Sequence, residues 1–247
     1  MSAQERTGSE LIHSFLTLRK AVGWIALSMP FVLFLLHQGA ALTSISQSYY
    51  RGVNAIFVGE LCAIGVFLLF YRGYDGRDRI ASIVAGVCAI IVSQIPCGAS
   101  CRRPGLAIDT LWQWQDAYPR GLSALHFCAA ALMFAALAYF CFVLFPETDK
   151  PGSEGPRKLL RNRIYRSCGV VIVVTMAVTA LDKVLATFGS PFLWDVGTYC
   201  VESTMIIAFG VSWAVKGESF TALNDQADDQ GGASAPPTDE QQSRMAA

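Results

Sequence analysis

The sequence predicts an all-α, polytopic membrane protein: a bundle of six transmembrane helices with both termini cytoplasmic. Hydrophobic residues fill 53% of the 247 positions and charged ones only 15%, the balance of a chain that meets lipid. The apolar residues fall in continuous runs of about 20, the length a helix needs to cross the hydrocarbon layer. They do not alternate in polarity as barrel strands do. The basic residues gather at one set of ends of those runs, which sets the orientation.

Taken in order, the runs lie near 21–42, 53–71, 78–96, 122–145, 165–188 and 192–215. They divide the chain into a cytoplasmic segment over 1–20, a six-helix domain over 21–217 and a polar, Pro/Gly-containing tail over 218–247 that is expected to be disordered. The first run ends in "HQGAALTS", which offers small residues for signal cleavage. It follows some twenty residues bearing both signs of charge and is long enough to span, so an uncleaved helix is expected, kinked at Pro30.

The connections divide by side. "RGYDGRDR" reads as a tight Gly/Asp turn, and "PETDKPGSEGPRKLLRNRIYR" as a basic linker whose second half is expected to lie on the membrane surface as an amphipathic helix. Arg19, Lys20, Arg77, Arg79, Arg161, Arg163 and Lys216 mark the cytoplasmic ends, against Arg51, Arg102, Arg103, Arg120 and Lys183 on the other side. The formal net charge of zero hides this asymmetry, and nothing in it points to nucleic acid. The expected location is the cell membrane, multi-pass.

The longest outer loop, about 97–121, carries "CGASC" and "LWQWQDAY". Trp112, Trp114 and Tyr118 suit the headgroup level, where amphipathic rings anchor a segment. Six of the eight cysteines lie inside apolar runs, where a thiol behaves as a small apolar group. Cys97 and Cys101 face outward. A disulfide is the leading reading for them, with free thiols, thiol exchange or a soft metal as alternatives; no metal or other cofactor is assigned.

Glu202 stands near the middle of "GTYCVESTMIIAFGVSW". A charge at bilayer depth costs at least about 2.5 kcal/mol, so this acid must be protonated, paired or exposed to a hydrated hollow. Asp195, Thr198, Tyr199 and Glu202 are spaced for one helical stripe, which is expected to face inward. His37, Asn54, Glu60, Gln94, Ser123, His126, Asp182 and Lys183 fall in the outer halves of their runs as well. His126 or Lys183 can neutralise Glu202, and Asp182 can meet Arg120 or Lys183 can snorkel to the surface.

A transport route needs polar groups along its whole length. Polarity confined to one side predicts instead a cavity open on one face, lined by Glu202, His126, Glu60, Asp195, Tyr199 and Lys183. Small residues at Ser82, Ala85, Gly86 and Ala89, and at Ala131, Ala135 and Ala138, predict close helix contacts.

Three stretches, "SISQSYYRGVNAIFVGELCAIGVFL", "LHFCAAALMFAALAYF" and "YCVESTMIIAFGVSW", resemble segments of the DRAM/FRAG-type six-helix membrane proteins and related bacterial membrane proteins of unknown function. The resemblance spans about residues 20–217 and touches Ser44, Ser46, His126 and Glu202. Where relatives carry an acidic residue before the second helix this chain has Val53 and Asn54, and Ser203 replaces the usual aromatic after the glutamate. The resemblance implies a six-helix bundle concerned with membrane lipid handling and brings no active-site signature.

The leading functional expectation is an accessory, non-catalytic protein whose outer-leaflet cavity binds a lipid or small amphiphile. The alternative is a membrane-embedded lipid ester or amide hydrolase using Glu202 and His126, with Ser46 or Ser123 as nucleophile. No GxSxG or HExxH is present to support it. A transporter, or a metal or thiol accessory protein using Cys97 and Cys101, stands behind both.

Overall fold

The computed structural model describes residues 3–37, 43–71, 73, 75–95, 97, 119–147, 155–193 and 196–223. Among the described residues all regular structure is helical: α1 Ala3–Leu36, α2 Asn54–Phe70, α3 Gly76–Gln94, α4 Pro119–Tyr139, α5 Pro156–Thr187 and α6 Gly197–Lys216. Among the described residues, four helical stretches are long and apolar enough to cross a membrane: Leu16–Leu36, Gly121–Leu144, Pro156–Thr187 and Gly197–Lys216. The apolar helix α2 is shorter. Outward-facing Leu35, Phe70, Ile80, Leu132 and Val174 are exposed, a surface that hydrocarbon solvates and water does not.

The local causes of each element are legible. Asp75 caps α3: its carboxylate accepts from the Arg77 and Asp78 amides at 2.8 and 3.1 Å, and the buried Asp78 carboxylate accepts back from the Asp75 amide at 3.2 Å. This reciprocal box satisfies the orphan donors of the first turn and explains the "GYDGRD" turn. Arg77 pairs with both Asp75 and Glu147 at 2.7 Å. These contacts hold the exposed Asp75 carboxyl below its usual range, with the Arg77 hydrogen bond the largest cause.

Helix α1 runs through Pro30 without a break and ends at Leu36, six residues before the expected limit at 42. The "RKLLRNRIYR" half of the basic linker is not a separate surface helix. It forms the first turns of a continuous 32-residue α5, with Pro156 in the first turn and Asn162 and Tyr165 buried. Proline is pre-organised for that position, and nothing downstream breaks the helix before Thr187. Beyond Tyr139, α4 widens into one π turn over Phe140–Leu144.

The helices form a closed ring in chain order, α6 returning against α1. Packing is closest at α1/α6, α2/α3, α3/α4 and α5/α6, and looser at α1/α2 and α4/α5. Glycines set two of the close contacts. A Cβ on Gly210 would stand 2.8 Å from the Leu27 amide nitrogen and one on Gly86 would stand 2.7 Å from the Gly65 carbonyl oxygen. Of the small residues expected at contacts, Ser82, Ala85, Gly86, Ala89 and Ala138 are buried, whereas Ala131 and Ala135 are exposed.

Candidate functional site

Residues 43–50 follow the described end of α1 and lead to α2. They do not form a loop in solvent. Ser46–Tyr50 is a 3-10 turn with Gln47, Ser48, Tyr49 and Tyr50 buried, tucked into the end of the ring that carries His126 and Glu202. Gln47 accepts from the Thr43 amide and hydroxyl at 3.1 and 3.0 Å, and Asn54 donates to the Tyr49 carbonyl. Burial, then the neighbouring Tyr50, pushes the Tyr49 hydroxyl above its usual pKa.

Two helices clamp this turn. On α6, Glu202 Oε2 accepts from the Ser44 hydroxyl at 2.7 Å and from the Ile45 amide at 2.6 Å. On α4, His126 Nε2 lies 3.1 Å from Ser46 Oγ, and Nδ1 lies 2.5 Å from the Ile95 carbonyl oxygen just past α3. A carbonyl only accepts, so Nδ1 carries the ring proton. In the neutral ring Nε2 therefore accepts from Ser46. His126 is 2% exposed, so its buried acceptor nitrogen is satisfied by a half-buried serine.

Beneath the turn lies a cavity of about 480 Å³ to which all six helices contribute, within the roughly 300–1,000 Å³ of small-molecule sites. Its walls are apolar, with Met29, Phe57, Leu61, Phe134, Met205 and Phe209 among them. Ser46, His126, Thr179, Lys183 and Glu202 interrupt them with polar atoms. Phe127 and Ala131 of α4 and Ala180 and Lys183 of α5 line the cavity and are also exposed. A side chain that does both stands at a mouth, so the hollow opens sideways through the loose α4/α5 seam.

The expected site residues separate here. Glu202, His126 and Lys183 line the cavity. Glu60 does not: the cavity face of α2 is Phe57, Leu61, Ile64 and Leu68, and a residue one position from Leu61 points about 100° away around the helix. Its Oε2 is buried with no hydrogen-bond partner. Tyr199 shares the predicted stripe but is buried, its hydroxyl donating to the Pro30 carbonyl of α1, so it ties two helices together. Asp195 lies outside the described residues.

Asp182 is held by backbone amides, and the side chain of its expected partner Arg120 lies outside the described residues. Asp182 Oδ1 accepts from the Phe192 and Leu193 amides at 2.9 Å each and turns the chain from α5 toward α6. Gln94 donates to Cys62 Sγ and Ser93 Oγ at 3.2 Å, and Ser123 donates to the Cys97 carbonyl at 2.9 Å; both are helix ties. Cys97 is buried and disulfide-bonded. Its expected partner Cys101, like Trp112, Trp114 and Tyr118, lies outside the described residues. No group of three His, Cys, Asp or Glu side chains among the described residues could hold a metal ion.

The sequence reading missed two things. Nothing in composition marked the Ile95 carbonyl as the group that orients His126. The aromatic plug at the other end of the ring was also unforeseen. Trp213, 1% exposed, is ringed by Phe67, Tyr71, Phe140, Phe145 and Phe209 with centroids 5.2 to 6.1 Å away. Arg19 donates to the Tyr71 hydroxyl at 2.8 Å and Lys216 to the Phe145 carbonyl at 3.3 Å. Phe209 belongs both to this plug and to the wall of the cavity.

The fold and site define a class: among the described residues, a helical ring with stretches long and apolar enough to cross a membrane, around an apolar cavity that has polar groups at one end. No protein-family model, curated protein or solved structure matches the chain.

Proposed function

We propose that this chain is a six-span protein of the cell membrane, both termini cytoplasmic, whose cavity takes a lipid or small amphiphile from the outer leaflet. The polar head lies among Ser46, His126, Lys183 and Glu202, and the tail runs between the methionine and phenylalanine walls. The observation that carries the reading is the lateral mouth. A hollow with apolar walls that opens between two helices toward lipid is reached by molecules already dissolved in the bilayer. The distribution of basic residues supports the orientation, and α2 and α3 are read as the two spans that complete six.

Of the groups lining the cavity, Lys183 and Glu202 carry opposite formal charges, which suits a head that is itself dipolar or zwitterionic. Ser44, Ser46, His126 and Glu202, the positions that carry the DRAM/FRAG resemblance, lie along two short hydrogen-bonded links to one turn, which supports a role in lipid handling.

The test is native mass spectrometry of protein extracted with its own lipids. The expected result is one retained amphiphile in the wild type and its loss in Ala131→Trp, whose indole fills the mouth. Wild-type protein that emerges free of lipid, or a plugged variant that retains it unchanged, overturns the reading.

A further inference from the structure

We propose that Ser46 is a nucleophile activated by His126 and that the bound amphiphile is a carboxylic ester whose acyl group passes to Ser46. This rests on the cavity reading above and names the chemical class of the occupant.

The geometry has three parts. Ser46 Oγ is 3.1 Å from His126 Nε2, within the reach of a general base. The ring is held in the useful tautomer from behind by the Ile95 carbonyl, leaving Nε2 as the atom that takes a proton. Ser46 and His126 both line the cavity, so an ester lying along its walls meets the hydroxyl directly. Glu202 acts one step back as a positioning residue: by gripping the Ser44 hydroxyl and Ile45 amide it fixes the backbone immediately before Ser46.

The chemistry balances without a cofactor. Ser46 Oγ forms a bond to the ester carbonyl carbon while its proton moves to His126 Nε2. The alcohol portion leaves and takes that proton, giving acyl-Ser46. A water molecule then attacks the acyl carbon and gives a proton to Nε2, which passes it to Ser46 Oγ as the acyl bond to that oxygen breaks, releasing the carboxylic acid and restoring the hydroxyl. Lys183, in the wall of the same cavity, supplies positive charge for the oxyanion of each tetrahedral intermediate.

The probe is a long-chain fluorophosphonate, which reaches the cavity as an amphiphile and is trapped by an activated serine hydroxyl with loss of fluoride. The full chain is treated in native-lipid discs and the adduct mapped by peptide mass spectrometry. The expected adduct is on Ser46, absent in Ser46→Ala and formed at least about 100-fold more slowly in His126→Gln, the size of a general-base contribution. Glu202→Gln, which keeps an acceptor oxygen, retains labelling that Glu202→Leu loses. Ser123→Ala labels as the wild type does. Wild-type protein that retains its lipid and leaves Ser46 unlabelled overturns the nucleophile and spares the binding reading. Labelling of Ser46 at equal rates in wild type and a folded His126→Gln overturns the role of His126. A wild type that holds no lipid and takes no probe fails both.

Discussion

The two ends of the ring are built in opposite ways from the same helices. At one end Trp213 and its five aromatic neighbours leave no room, and cations at Arg19 and Lys216 close over the rings. At the other, Glu202 and His126 hold a short turn across a hollow of about 480 Å³. A tightly packed aromatic plug gives the bundle one fixed geometry. The open end can then keep a void, which a well-packed protein otherwise eliminates at a gain in stability. Asymmetry of this kind is what a one-sided binding site requires and what a through-going channel forbids.

That contrast can be broken from its packed side first. Trp213→Ala removes the centre of the plug and is expected to cost on the order of 3–5 kcal/mol, read as a large loss of thermal stability in detergent. Leu61→Ala at the cavity wall is expected to cost about 2 kcal/mol, at the low end for such truncations, because Leu61 already borders empty space. Equal losses at the two sites would erase the distinction between the ends.

A smaller effect is expected at the close contact of α1 and α6. Gly210→Val forces side-chain atoms into a place where even a Cβ meets the Leu27 amide nitrogen at 2.8 Å. Overpacking of this sort costs about 1–3 kcal/mol, checked by the same melt. At the open end, Glu202→Leu leaves the Ser44 hydroxyl and Ile45 amide without their acceptor, a cost of about 1–3 kcal/mol. Retained lipid is expected to be lost with it, and Glu202→Gln should recover most of both.

The smallest effect concerns the α3 cap. The folded-state pKa of Asp75 is lowered, so its contribution is present above the ordinary carboxylate value of about 3.9. It is lost as pH falls through the lowered folded value. The cap is exposed and screened, so Asp75→Asn should lower stability slightly at neutral pH and flatten the acid limb of the profile, because the contribution it removes is already absent in acid. A change at neutral pH as large as that of Gly210→Val would mean the turn does more than cap a helix.

Much of this molecule was legible before folding because lipid imposes a simple rule: backbone polar groups must be satisfied within the helix, so apolar length reports helices directly. The prominence of Glu202 was legible for the same reason, since a buried carboxylate needs a cause. Its partners were not. They lie 157 and 158 positions away, and helical spacing relates only neighbours on one helix. Spacing likewise put Tyr199 and Glu202 on one stripe, yet a Pro30 carbonyl takes the first and a turn before α2 takes the second.

The amino-acid sequence alone determined that the chain is helical and apolar enough to cross a membrane, where its polar groups concentrate, and that Glu202 and His126 warrant attention. Those features depend on composition and on order within single segments. Only the tertiary structure decided that Ser46 faces His126, that Glu60 turns away, and that the hollow opens between α4 and α5. Each depends on how six helices rotate and close into a ring, and contacts between distant side chains set those rotations.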